Sequence, residues 1–143
     1  MNEGILCIDK QKGISSFYLI PRLRRIYNTK KVGHTGTLDT LATGLMIYLI
    51  GKTYTKQCDT FLKSDKEYDV TAKLGVVSDT YDITGDLSVI SNENPRTDDL
   101  IRAINSFQGG YEQEPPMYSA LKHKGKPLYK YARDGIDIKR KKR

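Results

Sequence analysis

The longest apolar stretch of the chain, LATGLMIYLIG at residues 41–51, is the feature that most limits the fold. It is far shorter than the roughly 20 residues of a membrane-spanning helix, and it suits one buried strand or a pair of strands. A second apolar segment, GILCID at residues 4–9, is typical of another strand. Because the acidic Glu3 precedes that segment, it is a poor signal peptide, and we expect a cytoplasmic protein without a membrane partner.

Helical patterns are interspersed with these strand patterns. Apolar residues recur at helical spacing after Ser15 and Ser16, either of which is suited to cap a helix, with Pro21 in the first turn or at a kink. Thr97 is predicted to cap a second helix, which Gly109 ends. Shorter helices are expected within residues 54–64 and 127–135.

Two further segments have strand character. Residues 68–75, YDVTAKLG, alternate apolar and polar side chains, as a half-buried strand does. Residues 135–143, GIDIKRKKR, begin in the same way and end in five consecutive basic residues. Strands and helices without regular βαβ alternation predict an α+β fold, with a mixed, largely antiparallel sheet and flanking helices.

The formal net charge of +7 comes from 24 Lys and Arg against 17 Asp and Glu. The basic residues cluster in short runs, at 22–25, 30–31, 122–126 and 139–143. Such runs favour a polyanionic partner, because basic side chains that neutralise phosphates release condensed counterions, although a solvated basic surface has the same composition. Cys7 and Cys58 are too few for a disulfide framework, and His34 and His123 stand too far apart to indicate a metal site.

The segment KVGHTGTLDTLATGL, residues 31–45, places one histidine and one aspartate among small residues. Gly33 and Gly36 permit positive φ and a close approach of the backbone to a ligand. The carboxylate of Asp39 can act as a nucleophile or a base, but aspartate is also a common turn former, and spacing alone leaves both interpretations open. His34 is likewise suited to hydrogen bonding within the loop.

Four stretches of the sequence match the motifs of one enzyme family and occur in the same order as in that family. They are GILCIDKQKGISSF (4–17), KKVGHTGTLDTLATGL (30–45), SDKEYDVTAKLGVVSDTYDITG (64–85) and QEPPMYSALKHKGKPLYKYARDG (113–135). Together they resemble the motifs of the TruB-type tRNA pseudouridine synthases and cover most of the chain. The resemblance implies the pseudouridine synthase catalytic fold and isomerisation of uridine 55 in the TΨC stem-loop of tRNA. Because this isomerisation neither oxidises nor transfers a group, no cofactor is expected, and we expect a monomer without a bound metal.

The resemblance assigns a role to each matched position. Asp39 is implied to be the nucleophile, with attack at C1′ or addition at C6 both open. His34 belongs to the loop that holds the flipped nucleotide. Tyr68 is implied to pack on the target base, and its hydroxyl is a candidate for proton transfer at C5. The supporting positions are Gly33 and Gly36, expected to shape the loop, and Lys10 and Lys56, expected to have a structural role or to contact phosphate without chemistry.

The sequence departs from the family pattern in detail and in length. Thr40 and Ile47 stand where the family usually has proline, and Gln11 replaces a proline of the first motif. The resemblance implies further strands with an arginine that pairs with the catalytic aspartate, and then a small RNA-binding domain. Residues 1–143 are therefore expected to be a truncated catalytic domain without a C-terminal RNA-binding domain.

Two other interpretations stay open. The first is a catalytically inactive RNA-binding fragment or remnant of such an enzyme, in which the aspartate loop only shapes the backbone. The second is the guide-RNA-dependent branch of the superfamily, which modifies ribosomal RNA. The stretch at residues 114–133 resembles the bacterial tRNA-modifying pattern better.

Overall fold

The computed structural model describes residues 3–142, and the chain divides into two compact units with the boundary after Asp69. The first unit contains β1 (Gly4–Lys10), α1 (Ile20–Ile26), β2 (Val32–His34), β3 (Gly44–Ile50), α2 (Lys52–Thr55) and α3 (Cys58–Leu62). The second contains β4 (Val76–Ser78), β5 (Leu87–Val89), α4 (Thr97–Asn105), β6 (Lys122–His123), β7 (Lys126–Pro127) and α5 (Leu128–Arg133). No helix among the described residues has the length and apolar character to cross a membrane.

The sheet of the first unit has the order β1-β3-β2, and both neighbours run antiparallel to β3. β1 pairs along its whole length, from Gly4 opposite Ile50 to Lys10 opposite Gly44. β2 is much shorter and ends with His34 opposite Tyr48. The longest apolar run of the sequence therefore supplies the central strand, in which Met46, Tyr48, Leu49 and Ile50 are buried.

The core of the first unit lies between α1 and one face of this sheet. Because side chains alternate along a strand, Met46, Tyr48 and Ile50 share the covered face of β3, and Val32 joins them from β2. The helix contributes its two buried side chains, Ile20 and Leu23. The opposite side of α1 is left to its arginines, which are exposed.

The second unit is built from two short hairpins, β4–β5 and β6–β7, and two helices. Leu128 at the start of α5 is buried. In contrast, the apolar stripe of α4 faces solvent, since Ile101 and Ile104 are each at least half exposed, as is Phe107 just after the helix. Phe107 instead contacts Tyr111 edge-on, with ring centroids 4.9 Å apart.

Side-chain hydrogen bonds hold the turn of the β4–β5 hairpin. Oδ1 of Asp82 accepts from the hydroxyl (2.6 Å) and amide (2.7 Å) of Thr84 and from the hydroxyl of Thr80 (2.9 Å). These bonds, that of the Thr84 hydroxyl first, hold the pKa of Asp82 below its ordinary value because they favour the ionised form. An added Cβ at Gly85 would lie 2.2 Å from Oδ1 of Asp79, so a larger residue here would displace that carboxylate.

The predicted α+β class is confirmed, and every described strand pair is antiparallel. The predicted strands at residues 4–9 and within 41–51 are present as β1 and β3. Pro21 lies in the first turn of α1, where its missing N–H leaves no helical hydrogen bond unmade. Gly135, with φ of 70°, follows α5 as expected.

Several local predictions are wrong. The N-cap of α1 is Leu19 and not Ser15 or Ser16, because the hydroxyl of Ser16 bonds to a distant loop. Thr97 is the first residue of α4, and the extended residue before it is Arg96. Residues 68–75 and the described part of 135–143 form no strand, since no neighbouring strand pairs with them. The helix predicted within residues 54–64 is divided between α2 and α3.

Candidate active site

Asp39 lies in the loop between β2 and β3, at the end of the sheet where β1 finishes and β3 begins. The pairing of Lys10 with Gly44 brings the end of β1 to the start of β3, so the loop after β1 runs beside the loop that carries Asp39. The side chain of Asp39 is exposed, and its carbonyl accepts the amide of Ala42 (3.1 Å) in a tight turn. Among residues 3–142, no hydrogen bond or ion pair engages the carboxylate.

Both neighbours of Asp39 are tied to the β1–α1 loop. Oγ of Ser16 accepts from the amide of Leu38 and donates to its carbonyl, each at 3.0 Å. On the other side, the amide of Gly13 donates to the carbonyl of Thr40 (2.8 Å). The backbone is therefore fixed immediately before and after Asp39, while the carboxylate itself stays free to meet a ligand.

A buried tyrosine holds Ser16 in place. The hydroxyl of Tyr48 donates to the carbonyl of Ser16 (2.7 Å), and the ring is fully buried in the core. Burial raises the pKa of Tyr48, because the apolar surroundings disfavour the phenolate. A neutral, donating hydroxyl therefore links the sheet to the loop that anchors the aspartate.

His34 lies directly opposite Tyr48 at the start of the aspartate loop. The two rings meet edge-on with centroids 6.1 Å apart. Nδ1 of His34 lies 2.5 Å from the carbonyl oxygen of Gly36, so this nitrogen is the donor. Gly36 has φ of 113°, a conformation that favours glycine, whereas Gly33 lies within β2 without positive φ.

Lys10 supports the site from inside. Its ammonium is fully buried and donates to the carbonyls of Ile14 (2.9 Å) and Gln11 (3.2 Å), so it closes the first turn of the β1–α1 loop. Lys10 was expected either to support the structure or to contact phosphate, and this buried arrangement corresponds to structural support. The structure thus brings His34, Gly36 and Asp39 into one loop, with Lys10 beside it.

Two other predicted positions are not tied to this loop by any described hydrogen bond or ring contact. Lys56 is exposed and follows the last residue of α2. Tyr68 is 65% exposed, in a segment without regular structure. Within residues 3–142, no group of three His, Cys, Asp or Glu side chains is arranged to hold a metal ion.

Comparison with known proteins identifies the family. Residues 24–143 match the model of the TruB family pseudouridylate synthase, N-terminal domain. The chain belongs to the TruB family. One relative, "tRNA pseudouridine synthase B" of Protochlamydia amoebophila, is 50% identical over 138 residues, which make up 96% of this chain and 53% of the relative. Proteins with the same name from Chlamydia trachomatis serovar L2 and Shewanella woodyi are 47% and 45% identical, over 97% and 99% of this chain.

This TruB-family chain spans about half the length of the curated relatives it matches, from 44% to 58% in the three named. The part of this chain that aligns with the three relatives includes the aspartate loop and almost all of the described residues. Sequence reasoning missed three residues that position this loop, namely Gly13, Ser16 and Tyr48. Ser16 was visible only as a possible helix cap, and Tyr48 was one letter in an apolar run.

We predict that Ser16→Ala lowers the free energy of unfolding by about 1–3 kcal/mol, because the amide and carbonyl of Leu38 both lose their partner. Urea unfolding followed by circular dichroism measures the change. Ser15→Ala is the matched control, since Ser15 is exposed and should change stability by less than about 0.5 kcal/mol. Equal stabilities of the two variants would contradict the anchoring role.

Proposed function

We propose that this chain carries the catalytic aspartate of a tRNA pseudouridine synthase that isomerises uridine 55 in the TΨC stem-loop. Membership of the TruB family and relatives named tRNA pseudouridine synthase B support the proposal. The observation that carries it furthest is the exposed Asp39, with both flanking residues fixed by hydrogen bonds. Both compact units are proposed to belong to one catalytic domain.

The proposed reaction begins with base flipping. A uridine inside a folded arm is out of reach, so the nucleotide must leave its stack at a cost of a few kcal/mol. Stacking on an aromatic ring such as Tyr68 returns about 1–3 kcal/mol. The exposure of Tyr68 agrees with this role, because a ring packed in the core would be unavailable to a base.

The chemical steps rearrange bonds without oxidation or group transfer to water. The N1–C1′ bond breaks, the uracil turns, C5 bonds to C1′, and the proton on C5 leaves to a base while N1 gains one. Asp39 is proposed to attack C1′ or to add at C6, and the Tyr68 hydroxyl to take part in the transfer of the C5 proton. Product and substrate are isomers, so the balance needs no cofactor.

The supporting residues act on position and binding. His34 and Gly36 are proposed to shape the loop around the flipped nucleotide, and the exposed Lys56 to contact phosphate. In the second unit, the exposed Lys122 and Lys124 of the β6–β7 hairpin are suited to the same purpose. We propose that the enzyme acts as a monomer in the cytoplasm, the compartment that holds its tRNA substrate.

The experiment follows the C5 proton. The protein, expressed from its complete reading frame, is incubated with an unmodified tRNA transcript that carries tritium at C5 of uridine. We expect release of about one tritium per transcript, and none attributable to position 55 when that uridine is replaced by cytidine. Binding of the transcript without tritium release would favour the non-catalytic RNA-binding interpretation.

A further inference from the structure

The positive charge of this chain is concentrated in one segment. Residues 10–38 contain seven Lys and Arg and no Asp or Glu. The rest of the sequence contains 17 basic and 17 acidic residues and is formally neutral. The net charge of +7 therefore arises from the segment that runs from the end of β1 into the aspartate loop.

In the structure, five of these seven residues are exposed in α1 and in the loop that follows it. We define the α1 basic face as Arg22, Arg24 and Arg25 of the helix with Lys30 and Lys31 of the following loop. All five are exposed, because α1 buries its apolar side against the sheet. Lys10 is buried and takes no part in this face.

No acidic residue in the described part of the chain forms an ion pair with the α1 basic face. Arg22 instead lies over the ring of Tyr18, with Cζ 4.3 Å from the centroid. Basic residues of the second unit behave differently. Lys126 pairs with Asp134 at 2.5 Å, and Arg140 pairs with Glu114 at 2.8 Å.

β2 connects the α1 basic face to the aspartate loop, with Lys31 at one end of the strand and the loop beginning after its other end. Lys31 immediately precedes β2, and three strand residues, about 10 Å of extended chain, separate it from the end of that strand at His34. Its carbonyl accepts the amide of Gly51 (2.7 Å), which fixes this part of the loop against the end of β3. Phe17, 60% exposed, follows the Ser16 anchor on the other side.

We propose that the α1 basic face docks the phosphate backbone of the RNA that flanks the nucleotide presented to Asp39. The identity of this RNA rests on the proposed function. Apart from Nη2 of Arg22, which donates to the hydroxyl of Tyr18, the guanidinium groups of this face have no described hydrogen-bond partner and can bind phosphate oxygens in a bidentate manner. A merely solvated surface would ordinarily mix both signs of charge, whereas this one has a single sign and is joined to the aspartate loop by one short strand.

The test compares two variants that lose the same charge. Arg22→Gln/Arg24→Gln/Arg25→Gln removes three charges from the face, and Lys52→Gln/Lys63→Gln/Lys73→Gln removes three exposed charges elsewhere. Binding of a tRNA transcript is measured between 50 and 200 mM salt. If each arginine neutralises one phosphate, the arginine variant should flatten the slope of log K against log salt by about 2–3 units. Its affinity at low salt should fall at least about tenfold, and the lysine variant should leave the slope nearly unchanged.

Two further variants separate charge from folding. Arg22→Lys/Arg24→Lys/Arg25→Lys keeps the charge and should keep most of the slope. Because Arg24 and Arg25 lie in the last turn of α1, where cations favour the helix, thermal unfolding is recorded for every variant. Lys30→Gln/Lys31→Gln lies outside the helix and should flatten the slope by about 1.5–2 units without changing the melting temperature.

Equal slopes for the arginine-to-glutamine and control variants, or an unchanged slope for the variant of Lys30 and Lys31, would overturn the proposal. The proposal would also be overturned if the arginine-to-glutamine variant lost binding to anionic phospholipid vesicles while its RNA binding was unchanged. That result would assign the α1 basic face to a membrane surface. Tritium release separates this proposal from the proposed function. If the proposed function is wrong and the docking proposal is right, neither the unchanged protein nor any variant releases tritium, while the salt slopes of the arginine and lysine variants still differ. If the docking proposal is wrong and the proposed function is right, the unchanged protein releases tritium and the two slopes agree.

Discussion

Asp39→Asn is expected to lower pseudouridine formation by at least about 10³-fold while tRNA binding is retained. A carboxamide has nearly the shape of the carboxylate but cannot act as a nucleophile. The exchange should cost little stability, because the carboxylate is exposed and has no described hydrogen-bond partner to lose. Single-turnover tritium release measures the chemical step apart from binding and product release.

The control for this exchange is Asp59→Asn, which makes the same chemical change at an exposed position of α3 in the same unit. It should leave tritium release and tRNA affinity near those of the unchanged protein. Turnover of Asp39→Asn near the unchanged rate would contradict the assignment of the nucleophile. Equal losses in the two variants would show that aspartate content, and not this loop, decides activity.

Tyr68 is expected to give the second largest effect, and its two functions separate in two variants. Tyr68→Phe keeps the ring and loses the hydroxyl, so turnover should fall by about 10²–10⁴-fold while binding persists. Tyr68→Leu loses both, so affinity should also fall by about 1–3 kcal/mol. Neither exchange should change the unfolding temperature, since the side chain is largely exposed and lies outside any helix or strand.

Tyr81 provides the comparison for these variants. It is 81% exposed in the β4–β5 turn, and Tyr81→Phe and Tyr81→Leu make the same changes at a position that has no part in the proposed reaction. Both Tyr81 variants should keep turnover and affinity. If Tyr68→Phe and Tyr68→Leu are both as fast as the unchanged protein, Tyr68 has neither function.

The sequence predicts those parts of the fold whose cause is local. The apolar runs that become β1 and β3 are visible because burial requires apolar side chains wherever the partner strands come from. β2 escapes notice, because Val-Gly-His has no pattern of its own and is a strand only through its pairing with β3. The alternation at residues 68–75 is real, but alternation describes two faces of a chain and supplies no partner strand.

The residues of the candidate site also divide into those that a local sequence motif reveals and those that depend on tertiary contacts. Asp39, His34 and Gly36 stand within six residues of one another, so a single motif in the sequence reveals them. Ser16 and Tyr48 act through bonds to residues more than twenty positions away, and a hydroxyl that can cap a helix can equally anchor a loop. The fate of such a hydroxyl is decided by tertiary structure, which is why Ser16 was assigned to the wrong partner.

The position of β1 at the edge of the sheet has a consequence for the order of events during synthesis. Its partners in β3 follow about 40 residues later, so at about 5–20 residues per second β1 waits roughly 2–8 s for them to be made. β2 and β3 are close in sequence and can pair at once, because their loop is short. We therefore expect β1, although it is made before β2 and β3, to join them last, and Ser16 to reach Leu38 at the same step. Until that moment, a nascent chain already contains Asp39 but has nothing to hold its loop in place.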